Sequence, residues 1–318
     1  MSKSKQYQRK QSPPAMRFQE RDGEILLAIY KYDGVLARRQ IKQLFWPSAS
    51  HQAMRYRLGL LYHNGFLNMP DDEQRGINPI PEPVVWLGWR GILFTAQQQG
   101  IEIDDPNSTN ENQMRKLEKQ LRAEGIRWQR QPRWSQLAHD VAVNDFRLAV
   151  EHAAHYWPSL SLESWIPEGE FFRDMDIIKV GKRTKGVRPD GFFVLVDHMR
   201  LINNSPAKAR FLLELDNSTH PVTRFGRDKA LPGLAYIRSQ AYQDRFGYNS
   251  GRWLVVCKSE RRMQNLKAQT EKVLGKQASN FFFTTLEQVE PLTVFNQPIW
   301  LRGGAKECIP LVNNIESN

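Results

Sequence analysis

Residues 188–190 read Arg-Pro-Asp, and residues 211–216 read Phe-Leu-Leu-Glu-Leu-Asp. Asp190 opens one apolar run, GFFVLV, while Glu214 and Asp216 close the next. Ionised carboxylates at the ends of buried strands need a cation, because their desolvation is otherwise uncompensated. Hard oxygen ligands from two adjacent strands suit Mg²⁺ or Mn²⁺, so Asp190 and Glu214 are the expected metal ligands. An ion held there polarises a phosphodiester and lowers the pKa of an attacking water. Strand alternation puts Glu214 and Asp216 on one face, where they repel unless a cation stands nearby. The competing reading of Asp190, Glu214, Asp216, Arg224 and Lys229 is an ion-pair network that ties strand ends together and does no chemistry, with no cofactor.

Positioning these side chains falls to the second half of the chain. Residues 135–157 have helical spacing, with Leu137, Val141 and Leu148 on one face and Ala138, Ala142, Ala149 and Ala153 beside it. Pro158 ends that helix. Strands are expected at 161–166, 188–196, 210–216 and 252–258. A helix is expected from about 222 to 242, carrying Lys229, Leu234, Tyr236 and Ile237. The charged stretch 172–186 reads as a loop with Asp174 and Asp176 solvated. The order is α-β-β-β-α-β, and the apolar strands FFVLV, FLLEL and WLVV suit a sheet covered on both faces. On the first helix, Glu151 is placed to complete a metal shell, and His139 or Arg147 to face it.

The first half has a different pattern. Ile25, Leu26 and Ile29 mark a helix with Asp22 as its N-cap, and Ile41, Leu44 and Phe45 mark a second, stopped by Pro47. A third, capped by Ser48 or Ser50 and closed by Asn64-Gly65, has Met54, Leu58 and Leu61 as its apolar stripe. PVVWLGWRGILFTAQQ then reads as one or more strands returning to the core. Three short helices and a β-ribbon are the parts of an α+β winged helix. The third helix carries Gln52, Arg55, Tyr56 and Arg57, placed to enter the major groove of double-stranded DNA. The loop 71–83 is the expected wing tip, with Arg75 reaching a phosphate.

A balance of 45 Lys+Arg against 34 Asp+Glu, net +11, fits a polyanionic partner. Two cysteines, Cys257 and Cys308, exclude a disulfide scaffold and a cysteine zinc site and suit a cytoplasmic setting. No apolar run is long enough to cross a bilayer. The polar run 104–112 marks a seam. The expected organisation is a flexible basic arm at 1–20, a winged-helix domain at 21–103, a linker and connecting helix at 104–125, the second domain at 126–302 and a tail at 303–318.

The pair Pro189-Asp190 with Glu214-Leu215 resembles the PD-(D/E)XK nuclease superfamily, which implies a restriction-endonuclease-like α/β fold for the second domain. Asp216 stands where the motif expects lysine. The resemblance implies that the lysine comes from the following helix, as in some members, with Lys229 the first choice and Arg224 the second. Taken in order, QIKQLFW…RYRLGLLYHNGFL, LAHDVAVNDFRLAV, RPDGFF, FLLELDNSTH with Lys229 and Tyr236, NFFFTTLEQVEPL and PIW resemble the replication-relaxation family, over roughly 20–302. That resemblance implies DNA binding in replication or relaxation of a plasmid or other mobile element. The enzymatic form is a Mg²⁺- or Mn²⁺-dependent endonuclease or nickase using Asp190, Glu214, Asp216 and Lys229. The alternative is a non-catalytic regulator whose second domain dimerises or recruits replication or transfer proteins.

Overall fold

A computed structural model of the chain describes residues 8–48, 50–77, 82–104, 106, 108–218 and 221–312. It is a mixed α/β protein of two compact units, residues 1–141 and 142–318. Part of the N-terminal arm (1–7), the core of the expected wing loop (78–81), two linker positions (105 and 107), Thr219 and His220 of the FLLELDNSTH run and part of the tail (313–318) lie outside the described residues.

In the first unit the order is α1 (Glu20–Lys31), β1 (Val35–Ala37), α2 (Arg38–Phe45), α3 (His51–His63), β2 (Leu67–Asn68), α4 (Asp72–Ile77), β3 (Val84–Leu87), α5 (Trp89–Gln98) and α6 (Glu111–Ala123). The strands form an antiparallel sheet in the order β1-β3-β2. Ile25, Leu26 and Ile29 of α1 are buried as their helical spacing requires. Asp22 is not the N-cap. It stands at the third helical position and accepts from the Gln19 N–H at 2.8 Å. On α2, Leu44 faces outward, and the buried positions are Ile41 and Gln40. The Gln40 amide is fully used, accepting from the Ala37 N–H at 2.9 Å and donating to the Val141 carbonyl at 2.8 Å. Ser50 caps α3 by accepting from the Ala53 N–H.

Two expectations for this unit are corrected. The run after Leu87 is a helix, because Gly88 lets the chain turn where a Cβ would lie 2.2 Å from the Gly65 carbonyl oxygen. From there Ile92 and Ala96 recur at helical spacing and are buried. The seam also falls later than 104–125. Leu117 and Leu121 of α6 are buried, the Trp128 indole donates to the Leu87 carbonyl at 3.1 Å, and the Trp86 indole donates to the Arg130 carbonyl at 2.9 Å. The connecting helix is thus part of the first unit. Residues 8–19 also pack on it. Arg9 donates to the Leu67 carbonyl at 2.8 Å, and Phe18 lies against Phe66 and Phe94.

The second unit follows from within α7 (Leu137–Tyr156). Its elements are β4 (Leu160–Pro167), α8 (Glu168–Arg173), β5 (Asp176–Val180), β6 (Arg183–Val187), β7 (Gly191–Ile202), β8 (Ser205–Asp216), α9 (Val222–Phe225), α10 (Leu231–Ile237), α11 (Gln240–Phe246), β9 (Arg252–Cys257), α12 (Glu260–Leu274), β10 (Phe281–Thr285), β11 (Trp300–Arg302) and β12 (Cys308–Ile309). Seven strands form one mixed sheet in the order β12-β11-β10-β9-β8-β7-β4. The pairs β8–β9 and β9–β10 are parallel, while β4–β7 and β7–β8 are antiparallel. Alternation sorts the apolar strand residues onto two covered faces. Phe193, Leu195, Phe211, Leu213 and Leu254 pack with Phe146, Val150 and Ala153 of α7. Phe192, Leu212, Trp253 and Val255 pack with Leu234, Tyr236, Tyr242 and Leu266 from the helices after β8. Asn203 and Asn204, with φ of 52° and 59°, close the β7–β8 hairpin in the left-handed turn that such short connections favour. The stretch expected as a charged loop is instead the separate antiparallel hairpin β5–β6.

Candidate functional site

The β7–β8 register places the two expected ligands on the sheet. Gly191 pairs with Leu213 and Phe192 with Leu212, so the next step along the ladder sets Asp190 opposite Glu214. Phe192 and Leu212 belong to the core face beneath α10–α12. Two residues on from each, Asp190 and Glu214 share that face. Both are buried. Asp190 is held at the head of its strand by two backbone contacts: its N–H donates to the Leu213 carbonyl at 2.8 Å, and its carboxylate accepts from the Leu215 N–H at 2.7 Å.

The cation comes from the helix that follows. Between α9 and α10 the chain makes a π-helical turn, Gly226–Ala230, and Lys229 lies within it. Wide turns of this kind recur at functional sites. The Lys229 ammonium donates to both Glu214 oxygens, at 2.7 and 2.9 Å. Burial pulls the Lys229 pKa down, but the charges of Glu214 and Asp190 push it up and prevail, so it lies above the ordinary lysine value. Lys229 is therefore a fixed positive charge here, suited to stabilising an anion and unsuited to accepting a proton at neutral pH. Arg224, the second choice, is exposed to solvent.

Asp216 does not join this pair. Arg262, on the first turn of α12, donates to both its oxygens at 2.7 and 2.9 Å. The repulsion expected between Glu214 and Asp216 is thus relieved by two separate cations. Asp216 pairs in register with Cys257, and burial together with that carboxylate pushes the thiol up to about 12.

Glu168 escaped the sequence reading. It opens α8 straight after β4, where its carboxylate pairs with Arg188 at 3.1 Å, and one of its oxygens lies within 4.8 Å of one from Asp190. The signal available was Pro167-Glu168 at a strand end, the same kind of punctuation that singled out Asp190. Glu151, expected to complete the shell, instead accepts from Arg147 one turn before it at 2.7 Å. His139 lies on the part of α7 that belongs to the first unit. Asp176, expected in solvent, accepts from the Tyr236 hydroxyl and from Arg245. Burial and that carboxylate raise the Tyr236 pKa, so its hydroxyl is a donor and not a base.

The donor chemistry suits a divalent ion: Asp190, Glu214 and Glu168 carry the hard carboxylate oxygens that Mg²⁺ and Mn²⁺ prefer, and of these three Asp190 and Glu168 have oxygens within 4.8 Å of one another. When bound, such an ion would supply Lewis acidity at a phosphate. The chain's own groups orient the carboxylates through the Leu215 N–H, Arg188 and Lys229. A cavity opens beside them, lined by Arg188, Glu214, Asp228 and Lys229 over Trp253 and Val255.

In the first unit, Gln52, Arg55 and Tyr56 project from α3 into solvent, Tyr56 with 70% of its surface exposed. Arg57, also expected as a DNA contact, is instead half-buried. Its guanidinium is turned onto Asp22, donating through Nε at 2.7 Å and through Nη2, and it also donates to the Arg17 carbonyl at 2.7 Å. Arg75 is in α4 and donates to the Pro70 carbonyl at 3.2 Å.

The family model described as "Replication-relaxation" matches residues 27–249, well over half of the chain. The chain belongs to the replication-relaxation family. The match takes in α3, both long strands of the β7–β8 hairpin, the π-helical turn and Lys229. No curated protein matches it. Among solved structures, a restriction endonuclease, FokI bound to DNA, aligns with 86% of this chain and 45% of its own length, at 13% identity and a TM-score of 0.24. The chain thus spans less than half of that structure, and a likeness at that level carries no argument about fold or chemistry.

Proposed function

We propose that this family member is a DNA-binding protein acting in replication or relaxation of a plasmid or other mobile element. Its second unit would cut or nick duplex DNA with Mg²⁺ or Mn²⁺. The observation that carries the reading is the meeting of Asp190 and Glu214 on one sheet face, with Lys229 bonded to Glu214. These groups lie at the carboxyl end of β8, where β8 and β9 run parallel, the side on which open α/β sheets bind ligands. In this mechanism Asp190 and Glu214, assisted by Glu168, would hold the metal, which would supply Lewis acidity at a phosphate, and Lys229 would offset charge on the transferring group. The first unit, with the order α1-β1-α2-α3-β2-α4-β3 and an antiparallel β1-β3-β2 sheet, supports the winged-helix reading and offers Gln52, Arg55 and Tyr56 to a major groove.

One observation favours a second reading. Three of the four acids have a cationic partner in the protein, Lys229 for Glu214, Arg262 for Asp216 and Arg188 for Glu168, and the Asp190 carboxylate accepts from the Leu215 N–H. A network so balanced needs no metal, as in a regulator whose second unit dimerises or recruits a replication or transfer protein. Incubation of supercoiled plasmid with Mg²⁺ or Mn²⁺ separates the two. Nicking by the wild type that is lost in the Asp190→Ala, Glu214→Ala double variant supports catalysis. No nicking, or equal nicking by both proteins, rejects it.

A further inference from the structure

The hairpin β5–β6 takes no part in the mechanism above, yet it is built as an arm. Its twelve residues, Asp176–Val187, contain Lys179, Lys182, Arg183 and Lys185, with Asp176 as the sole acid. The acid is spent at the root, where it accepts from Tyr236 and Arg245. Lys185 pairs with Asp228 at 3.4 Å, and Ile178 and Val187 enter the core, so the root is clamped. Beyond it, Lys179, Thr184, Lys182 and Arg183 are all exposed. Register pairs Lys179 with Thr184 and Val180 with Arg183 across a two-residue turn. That turn starts at Gly181, whose φ of 61° is the conformation a first turn position of this kind needs. The exposed end is therefore a narrow ribbon with three clustered positive charges and no acid.

We propose that this hairpin is a second nucleic-acid contact, a basic arm that tracks a groove of duplex DNA beside the Asp190–Glu214 site. A two-stranded ribbon fits a major groove about 12 Å wide. Three like charges held together on a rigid arm cost the folded chain some self-repulsion, and a polyanion relieves it. The chain runs from β6 through Arg188 and Pro189 directly into Asp190, so the arm's position is tied to that of the carboxylates. Four strand steps from Val187 to Arg183 span about 14 Å, or about four base pairs of rise. The proposal rests on the DNA-binding reading above for its partner class and does not require the second unit to be catalytic.

The test uses the full chain and a fluorescent duplex, with affinity measured from 50 to 200 mM salt. Replacing Lys179, Lys182 and Arg183 together by Gln should lower the slope of log affinity against log salt by about 2.7, at about 0.9 per phosphate released. Over that range the wild type then loses roughly 40-fold more affinity than the variant. In a second arm, an iron chelate tethered at Thr184→Cys, in a Cys308→Ser background, should cut the bound DNA backbone. An unchanged slope and no tethered cutting, in a chain that still loses affinity on Arg55→Ala, overturns the arm and leaves the DNA-binding reading standing. A wild-type chain that binds no duplex overturns both.

Discussion

Replacing Arg57 by alanine should destabilise the first unit, whereas the same change at Arg55, two residues away on α3, should not. Asp22 is fully buried, and Arg57 meets it through two donors while keeping only 14% of its own side chain exposed. Removing one member of a buried pair typically costs about 3–5 kcal/mol, because the other charge is left without its partner. Asp22 would retain the Gln19 N–H at 2.8 Å, which places the expected loss near the lower end, about 3 kcal/mol. With a urea dependence of about 1–3 kcal/mol per molar, the unfolding midpoint should fall by about 1–3 M. Arg55→Ala should move stability by no more than about 0.5 kcal/mol, as surface changes usually do, while weakening DNA binding. Adding Asp22→Asn to Arg57→Ala should restore part of the loss, since the stranded charge is then gone. Equal midpoints for the two single variants, with equal loss of DNA affinity, would show that Arg57 faces the groove and that the pair with Asp22 carries no weight.

Lys229→Met should lower stability by about 1–3 kcal/mol. That is less than a fully buried pair would give, because the lysine side chain is 43% exposed and partly screened. Its folded pKa lies above the ordinary 10.5. The pair's contribution is therefore complete below the unfolded lysine's pKa and fades only as pH rises through the higher folded value. The stability gap between wild type and variant should hold from pH 7 to 10 and narrow above that. A gap that narrows by pH 9 would contradict the assignment. With a thiol reagent at pH 8, Cys308, exposed near the end of the chain, should react first, while Cys257, buried and pushed up to about 12, should react only on unfolding. Two equivalents reacting at once in the folded protein would place Cys257 elsewhere.

Much of the second unit was legible because its signals are local. Apolar runs at 188–196 and 210–216 marked the inner parts of β7 and β8, though not their polar outer ends, which run on to Ile202 and begin at Ser205, and period-2 alternation was enough to place Glu214 and Asp216 on one face. Partners were legible only in part. Lys229 lies fifteen residues after Glu214 and reaches it through a wide turn that carries no distinctive sequence mark. Arg262, forty-six residues after Asp216, reaches it only because β9 pairs in parallel beside β8. Arg57 looked like a surface arginine because helical spacing cannot reveal that Asp22, thirty-five residues earlier, is buried beneath it. The helix at Trp89 was misread because apolar residues as dense as VVWL and ILF satisfy strand and helix spacings alike, and the pivot at Gly88 depends on the distant Gly65 carbonyl. The β5–β6 hairpin was hidden by its charges, which suggest a loop until the buried Ile178 and the tie from Tyr236 to Asp176 are seen.

The lysine's place in a π-helical stretch makes chain length there a stricter requirement than chemistry. Several cations could stand at position 229 and still reach a carboxylate. Deleting one residue between Gly226 and Ala230 would convert the stretch to ordinary α-helix and rotate everything upstream or downstream by about 100°. Either the ammonium would swing off Glu214, or Leu234 and Ile237 would swing out of the core.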